Sequence, residues 1–448
     1  MALFPQEALN DGVRKREVFG WAMYDFANSG YTTVVLTAVF NAYFVGAVAG
    51  GAPWATLAWT LAIAASSVLV MLTMPAIGAY ADLRAAKKRL LAISTAGCIV
   101  ATCALALVGR GDVALAVVAV VLSNTFYSYG ESLSAAFLPE LAREKAIGRV
   151  SGWGWSFGYF GGMLSLGAGL AYVLAAQARG EAATRFVPVT MLITAVVYGV
   201  ASLATFALLR ERAVPQPLAG TSGVVASLRE LKQTWRNARR FSDFSWMLAC
   251  GACYQAGISV VIALAAVYAE QVLGFKQAQT MMLVFLVNIA AALGAFGFGY
   301  WQDRLGAKPA LALTLVGWIV MIVLAALATG PGLFWAAAVV AGLCMGSSQS
   351  TGRAMIGLFA PSRQRAEFYG LWTFATRLSA IVGPVTYGVV TLLTQGNHRM
   401  AIVSTALFFI GGLLLLTKVD MNRGMSAARS ASAARGEPGA ASVSIATP

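Results

Sequence analysis

Two acids and two arginines stand inside long apolar runs of this 448-residue chain: Asp25, Glu131, Arg353 and Arg377. A charge in hydrocarbon is costly unless it faces water or a partner, so each is a candidate for work. Two carboxylates and two guanidiniums can exchange a proton, close an ion pair, or hold a zwitterion. In the last case a guanidinium grips a carboxylate through paired hydrogen bonds, and Asp25 or Glu131 faces the ammonium. Catalysis finds little footing. His398 is the single histidine, no His/Cys/carboxylate set has metal-ligand spacing, and there is no Walker loop. Cys250 and Cys253 form a CxxC within one turn of an apolar run, where packing is the expected role. The chain is read as a non-enzyme with no cofactor and no metal.

These charges need elements that span a bilayer. With 59% hydrophobic and 11% charged residues and a mean hydropathy of +0.73, the chain has more apolar surface than a soluble core can hide. About 20 apolar residues cross the roughly 30 Å hydrocarbon layer. Twelve such runs are read: 19–47, 55–80, 90–109, 113–137, 149–176, 187–209, 244–269, 278–301, 309–329, 332–359, 367–394 and 399–417. The first is too long for a signal-peptide core and carries Asp25 and Asn28, so it is expected to persist. At about 1.5 Å per residue, all four charges lie about 10–15 Å in from the same side. Both acids fall in the first half and both arginines in the second.

The net charge of +14 is explained by its distribution. With the N-terminus inside, 25 of the 32 lysines and arginines lie in cytoplasmic segments and five (Arg110, Arg179, Arg185, Lys276, Arg399) in outer loops. That asymmetry is the positive-inside pattern. It predicts cytoplasmic termini and contact with anionic lipid, and it argues against nucleic acid.

A charged turn occurs twice. Gly78, Asp82, Arg84 and Lys87 recur as Gly299, Asp303, Arg304 and Lys308, with glycine, acid and last lysine displaced by 221 residues. Gly130-Glu131 and Leu138-Pro139 recur as Gly352-Arg353 and Ala360-Pro361, displaced by 222. The expected fold is therefore an all-α membrane protein of twelve helices in two pseudo-symmetric six-helix bundles. Residues 1–18 are a cytoplasmic segment, 19–209 and 244–418 the bundles, and 419–448 a disordered cytoplasmic tail rich in Ala, Ser, Gly and Arg. Residues 210–243 form a cytoplasmic linker. Within it Val224, Leu228, Leu231 and Trp235 make an amphipathic stripe suited to a helix on the headgroups.

Further polar residues are expected near the path. Asn124 and Ser128 share a stripe with Glu131, Gln349 lies one turn from Arg353, and Tyr254 and Gln255 are placed as the counterparts of Asn28. For Asn28, Asn124 and Gln255, cavity contact and an interhelical hydrogen bond are both open readings. The repeated aspartates are expected to close the cytoplasmic side. Asp82 should meet the start of the eleventh span near 368–370 and Asp303 the start of the fifth near 150–152, where helix N-termini offer free N–H groups. Arg84 is expected to pair with Glu140.

The repeated turns, Gly78-Ala-Tyr-Ala-Asp82-Leu-Arg84-Ala-Ala-Lys87-Lys88 and Gly299-Tyr-Trp-Gln-Asp303-Arg304-Leu-Gly306-Ala-Lys308, resemble the loop between the second and third spans of the major facilitator superfamily. Gly20-Trp21-Ala22-Met23-Tyr24-Asp25-Phe26-Ala27-Asn28-Ser29 and Phe137-Leu138-Pro139-Glu140 are similar to its vacuole-effluxer-like branch, whose fungal members are associated with amino-acid export from the vacuole. The resemblance implies an alternating-access transporter of a small solute, secondary active or facilitative, with amino-acid-like efflux as one reading. Its expected setting is a bacterial inner membrane, as a monomer, with a proton as the candidate coupling ion. The alternatives are an amphipathic or lipid-like cargo and a membrane receptor or sensor.

Overall fold

The computed structural model describes residues 4–216, 241–275 and 277–434. Among these, twelve helices are long and apolar enough to cross a membrane. Helices suit such runs because they satisfy every backbone N–H and C=O within the segment. We number them α1 (Lys15–Tyr31), α2 (Ala55–Arg84), α3 (Lys87–Leu105), α4 (Val113–Ala135), α5 (Ile147–Ala178), α6 (Ala183–Leu208), α7 (Ser242–Leu273), α8 (Gln277–Leu305), α9 (Ala307–Leu327), α10 (Pro331–Phe359), α11 (Arg365–Leu393) and α12 (His398–Thr417). The first span continues beyond α1 to Val48 through two stretches of wide π-helical turns, Thr32–Ala38 and Phe44–Val48. The stripe at 224–235 lies outside the described residues.

The two bundles follow one plan. In the first, the Tyr24 hydroxyl lies against Gly130; in the second, the Tyr254 hydroxyl lies against Gly352. A Cβ at either glycine would fall within 2.0 Å or 2.4 Å of that oxygen, so glycine is what lets the tyrosine in. This pairing makes Tyr254 the counterpart of Tyr24 and Gln255 that of Asp25, which corrects the expected match of this pair with Asn28. Across the interface α2 packs on α11 and α8 on α5. Gly78 and Gly299 permit it: a Cβ at Gly78 would meet the Ala366 carbonyl at 2.2 Å, and one at Gly299 the Gly148 carbonyl at 2.8 Å.

The repeated turns sit on one face, called here the basic face. Residue 85 ends α2 in the left-handed region at φ 49°, and Gly306 takes φ 93° at the equivalent step between α8 and α9. Glycine adopts such angles freely, whereas Ala85 does so at a cost. The N-terminal residues also lie on this face. Phe4 packs edge-on against Trp153 at 5.0 Å, and Leu9 forms an antiparallel bridge with Ala142.

One expectation fails here. Much of the segment expected to be disordered forms a thirteenth helix, α13 (Met421–Ala433). The Asp420 side chain caps it by accepting from the Arg423 N–H at 2.9 Å. Arg423 gives two bonds of 2.7 Å to Asp243, and Gly424 sits against Phe359. Composition showed too little apolar surface for independent order; these tertiary contacts supply the missing stabilisation.

Candidate functional site

A buried charged contact joins the bundles. Arg353, on α10, reaches across to α1 and α5: Nη1 donates to Asp25 Oδ2 at 2.6 Å, Nε to Ser151 Oγ at 3.1 Å, and Nη2 to the Ser151 carbonyl at 2.7 Å. Its guanidinium lies over Trp21 at 4.8 Å and Trp155 at 5.3 Å. Delocalised, weakly hydrated arginine suits such a slot, where two indole faces replace water. Gly154 makes the room. A Cβ there would fall 2.5 Å from Asp25 Oδ2 and 2.6 Å from Arg353 Nη2. The side chains of Asp25 and Arg353 retain only 12% and 8% of their exposure.

A second pair runs in the same sense between α4 and α11. Arg377 Nη2 donates to Glu131 Oε2 at 3.0 Å. This pair is more open: the Glu131 side chain is 38% exposed. Arg377 also keeps a buried Nε with no hydrogen-bond partner among the described residues. The two contacts thus differ in kind. Arg353 spends every nitrogen on protein, whereas the Glu131–Arg377 pair has a part-exposed carboxylate on one side and, among the described residues, an unused donor on the other.

The polar neighbours divide. Asn124 donates to Ser66 Oγ at 2.6 Å inside the first bundle, and Ser128 bonds the Asn124 carbonyl at 2.6 Å. The stripe leading to Glu131 is therefore mostly internal packing. Gln255 and Gln349 exchange bonds of 2.7 Å and 3.3 Å. Asn28 is buried one turn beyond Asp25. Tyr31, at the end of α1, bonds Ser123 and stacks on Tyr127, one turn before Glu131.

On the basic face, Asp82 accepts from the Glu367 N–H at 2.9 Å, one residue before the expected segment, in the first turn of α11. Asp303 accepts from the N–H groups of Gly148 and Arg149 at 3.0 Å and 3.3 Å, in the first turn of α5. Both aspartates therefore sit slightly nearer the helix starts than the sequence suggested, where the free N–H groups are. Asp303 gains a partner that sequence reasoning missed: Arg149 Nε at 2.8 Å. Its signal in the sequence is a basic residue at the start of α5.

The expected Arg84–Glu140 pair does not form. Buried Lys87 pairs with Glu140 instead, with Arg365 Nη1 3.7 Å away on the other bundle. The break at Ala85 turns the chain so that Arg84 is exposed while Lys87, in the first turn of α3, points inward. Arg304 is likewise exposed, and neither arginine has an ion-pair partner among the described residues.

Comparison with known proteins agrees with this architecture. The family described as "Vacuole effluxer Atg22 like" matches residues 48–429. An uncharacterized MFS-type transporter of Bacillus subtilis, YxiO, is 25% identical over 409 residues, covering 89% of this chain and 94% of that protein. Autophagy-related protein 22-1 of Penicillium rubens is 27% identical over 226 residues, 47% of this chain and 38% of that protein. The human organic anion transporter MFSD10 superposes with a TM-score of 0.71 at 15% identity, covering 90% of this chain and 99% of that one. With twelve membrane-length helices in two bundles and a family match over most of its length, the chain belongs to the Atg22-like vacuole effluxer family and is a membrane transporter with the major facilitator fold.

Proposed function

We propose that the two interbundle ion pairs divide the labour of an alternating-access cycle for a small zwitterion of the amino-acid class. Asp25–Arg353 is the lock that holds the basic face shut, and Glu131–Arg377 is the cargo site. The observation that carries this reading is their unequal state: a sealed, fully bonded arginine against a pair with an exposed carboxylate and an unused Nε–H. A cargo carboxylate takes the place of Glu131 on Arg377 through paired hydrogen bonds, while Glu131 turns to the cargo ammonium. Exchanging one ion pair for two keeps every charge paired while cargo is held. The basic face is cytoplasmic in this reading, in keeping with its share of lysine and arginine. The closed turns around Asp82 and Asp303 then put the present state before cytoplasmic release or after cytoplasmic loading.

Uptake and counterflow of labelled amino acids in proteoliposomes test the proposal. Arg377→Lys should abolish counterflow although charge is kept, because lysine cannot reproduce the planar two-point contact. If Glu131 also carries a coupling proton, Glu131→Gln should lose pH-driven accumulation yet retain exchange at equal pH. Parental counterflow in both variants would remove the site, and the reading of an amphipathic or lipid-like cargo would replace it.

A further inference from the structure

We propose that α13 is a latch across the basic face, tethered to the second bundle and hooked to the first, which slows opening of that face. The tether is built into the second bundle. Asp243, at the start of α7 with its side chain 3% exposed, accepts Arg423 Nε and Nη2 and the backbone N–H of Asp420 at 2.8 Å. Gly424 lets the helix lie directly on Phe359, because a Cβ there would stand 2.4 Å from the ring. Farther along, the Ser432 hydroxyl accepts the Ser362 N–H at 3.1 Å in the turn between α10 and α11. These contacts make α13 part of the second bundle.

The hook is different. Arg429 Nη2 reaches Glu144 Oε1 at 2.5 Å, and Glu144 belongs to the turn between α4 and α5 of the first bundle. Both side chains are exposed, at 60% and 48%, so the bond is a weak and reversible one. That turn leads directly into the α5 start that holds Asp303. When the bundles rock apart on this side, α13 moves with Asp243 and the Arg429–Glu144 bond must part. Its position makes the latch readable by anything that adds or removes charge near Arg429, while the tether stays intact.

The test rests on rocking of the bundles and is independent of what is carried. Spin labels at exposed Lys145 and Arg304, on the basic-face turns of opposite bundles, report the width of that face in full-length protein in nanodiscs. Arg429→Gln should raise the wide-face population about 1.5- to 5-fold, the range an exposed ion pair allows. Glu144→Gln should do the same, the double variant should add nothing further, and the exchange Arg429→Glu with Glu144→Arg should restore the parental distribution. Melting temperature should stay parental in all four, since both side chains are solvated. Arg423→Gln should free the whole helix and exceed the effect of Arg429→Gln. An unchanged distance distribution in Arg429→Gln, or additive effects in the double variant, would overturn the latch, whatever the fate of Arg423→Gln.

Discussion

Asp25–Arg353 and Glu131–Arg377 join the same two bundles, in the same polarity, with similar chemistry, yet their surroundings differ. The first is closed in by two indole rings, a serine with its carbonyl, and a glycine that concedes the space. The second leaves a carboxylate over a third exposed and a guanidinium nitrogen unused. An ion pair with every bond made is a fastening, since a ligand has nothing to offer it. An ion pair with unmet bonding capacity is a place where cargo can compete. The two pairs are alike in residue type; it is the surrounding side chains that differ.

The largest expected effect breaks this contrast directly. Arg353→Gln strands a buried carboxylate and should cost about 3–5 kcal/mol of unfolding free energy. Arg377→Gln leaves Glu131 to water and should cost less than about 1 kcal/mol. Reversible unfolding in mixed micelles measures both, and equal losses would erase the distinction. Next comes the glycine packed against the proposed lock. Gly154→Ala should cost about 1–3 kcal/mol by overpacking against Asp25 and Arg353. Gly167→Ala, on the same helix with nothing within 4 Å of the added Cβ, should be neutral or stabilising by up to about 1 kcal/mol. Matching losses at the two positions would show that the space at Gly154 is not special to the pair.

The smallest effect compares the two repeated turns. Ala85 occupies a left-handed conformation where its counterpart is Gly306. Ala85→Gly should therefore gain up to about 1 kcal/mol, while Gly306→Ala should lose about 1–3 kcal/mol. Opposite signs are the signature to look for; a loss at both would mean that residue 85 is held by contacts that outweigh its backbone.

Much of this is legible in the amino-acid sequence. Apolar length gave the twelve spans, and the 221-residue displacement gave the twofold plan, because both properties are written in single residues and their spacing. The same depth for all four charges placed them at one level but did not decide which acid meets which arginine. Ser151 and Trp155 carried no distinguishing signal, and Gly154 stood out only for its small-residue spacing with Gly158 and Gly162, which signals close helix approach and not an ion pair. Lys87 displaced Arg84 as the partner of Glu140 because the backbone turn at Ala85 sets which side chain faces inward. The helix α13 was hidden for a related reason: its order comes from Asp243, far away in sequence and invisible to local composition.

The division of labour between the two pairs is tested most directly by equilibrium binding of labelled zwitterionic amino acids to purified parent and Arg377→Lys protein, with carboxylate-only and amine-only analogues as competitors. The account predicts saturable binding of a zwitterion by the parent, weak competition by either half-analogue, and affinity at least about tenfold lower in Arg377→Lys, from the loss of one paired charge-assisted contact worth roughly 1.5–3 kcal/mol. Parental affinity in Arg377→Lys, with the same response to both analogues, would contradict it.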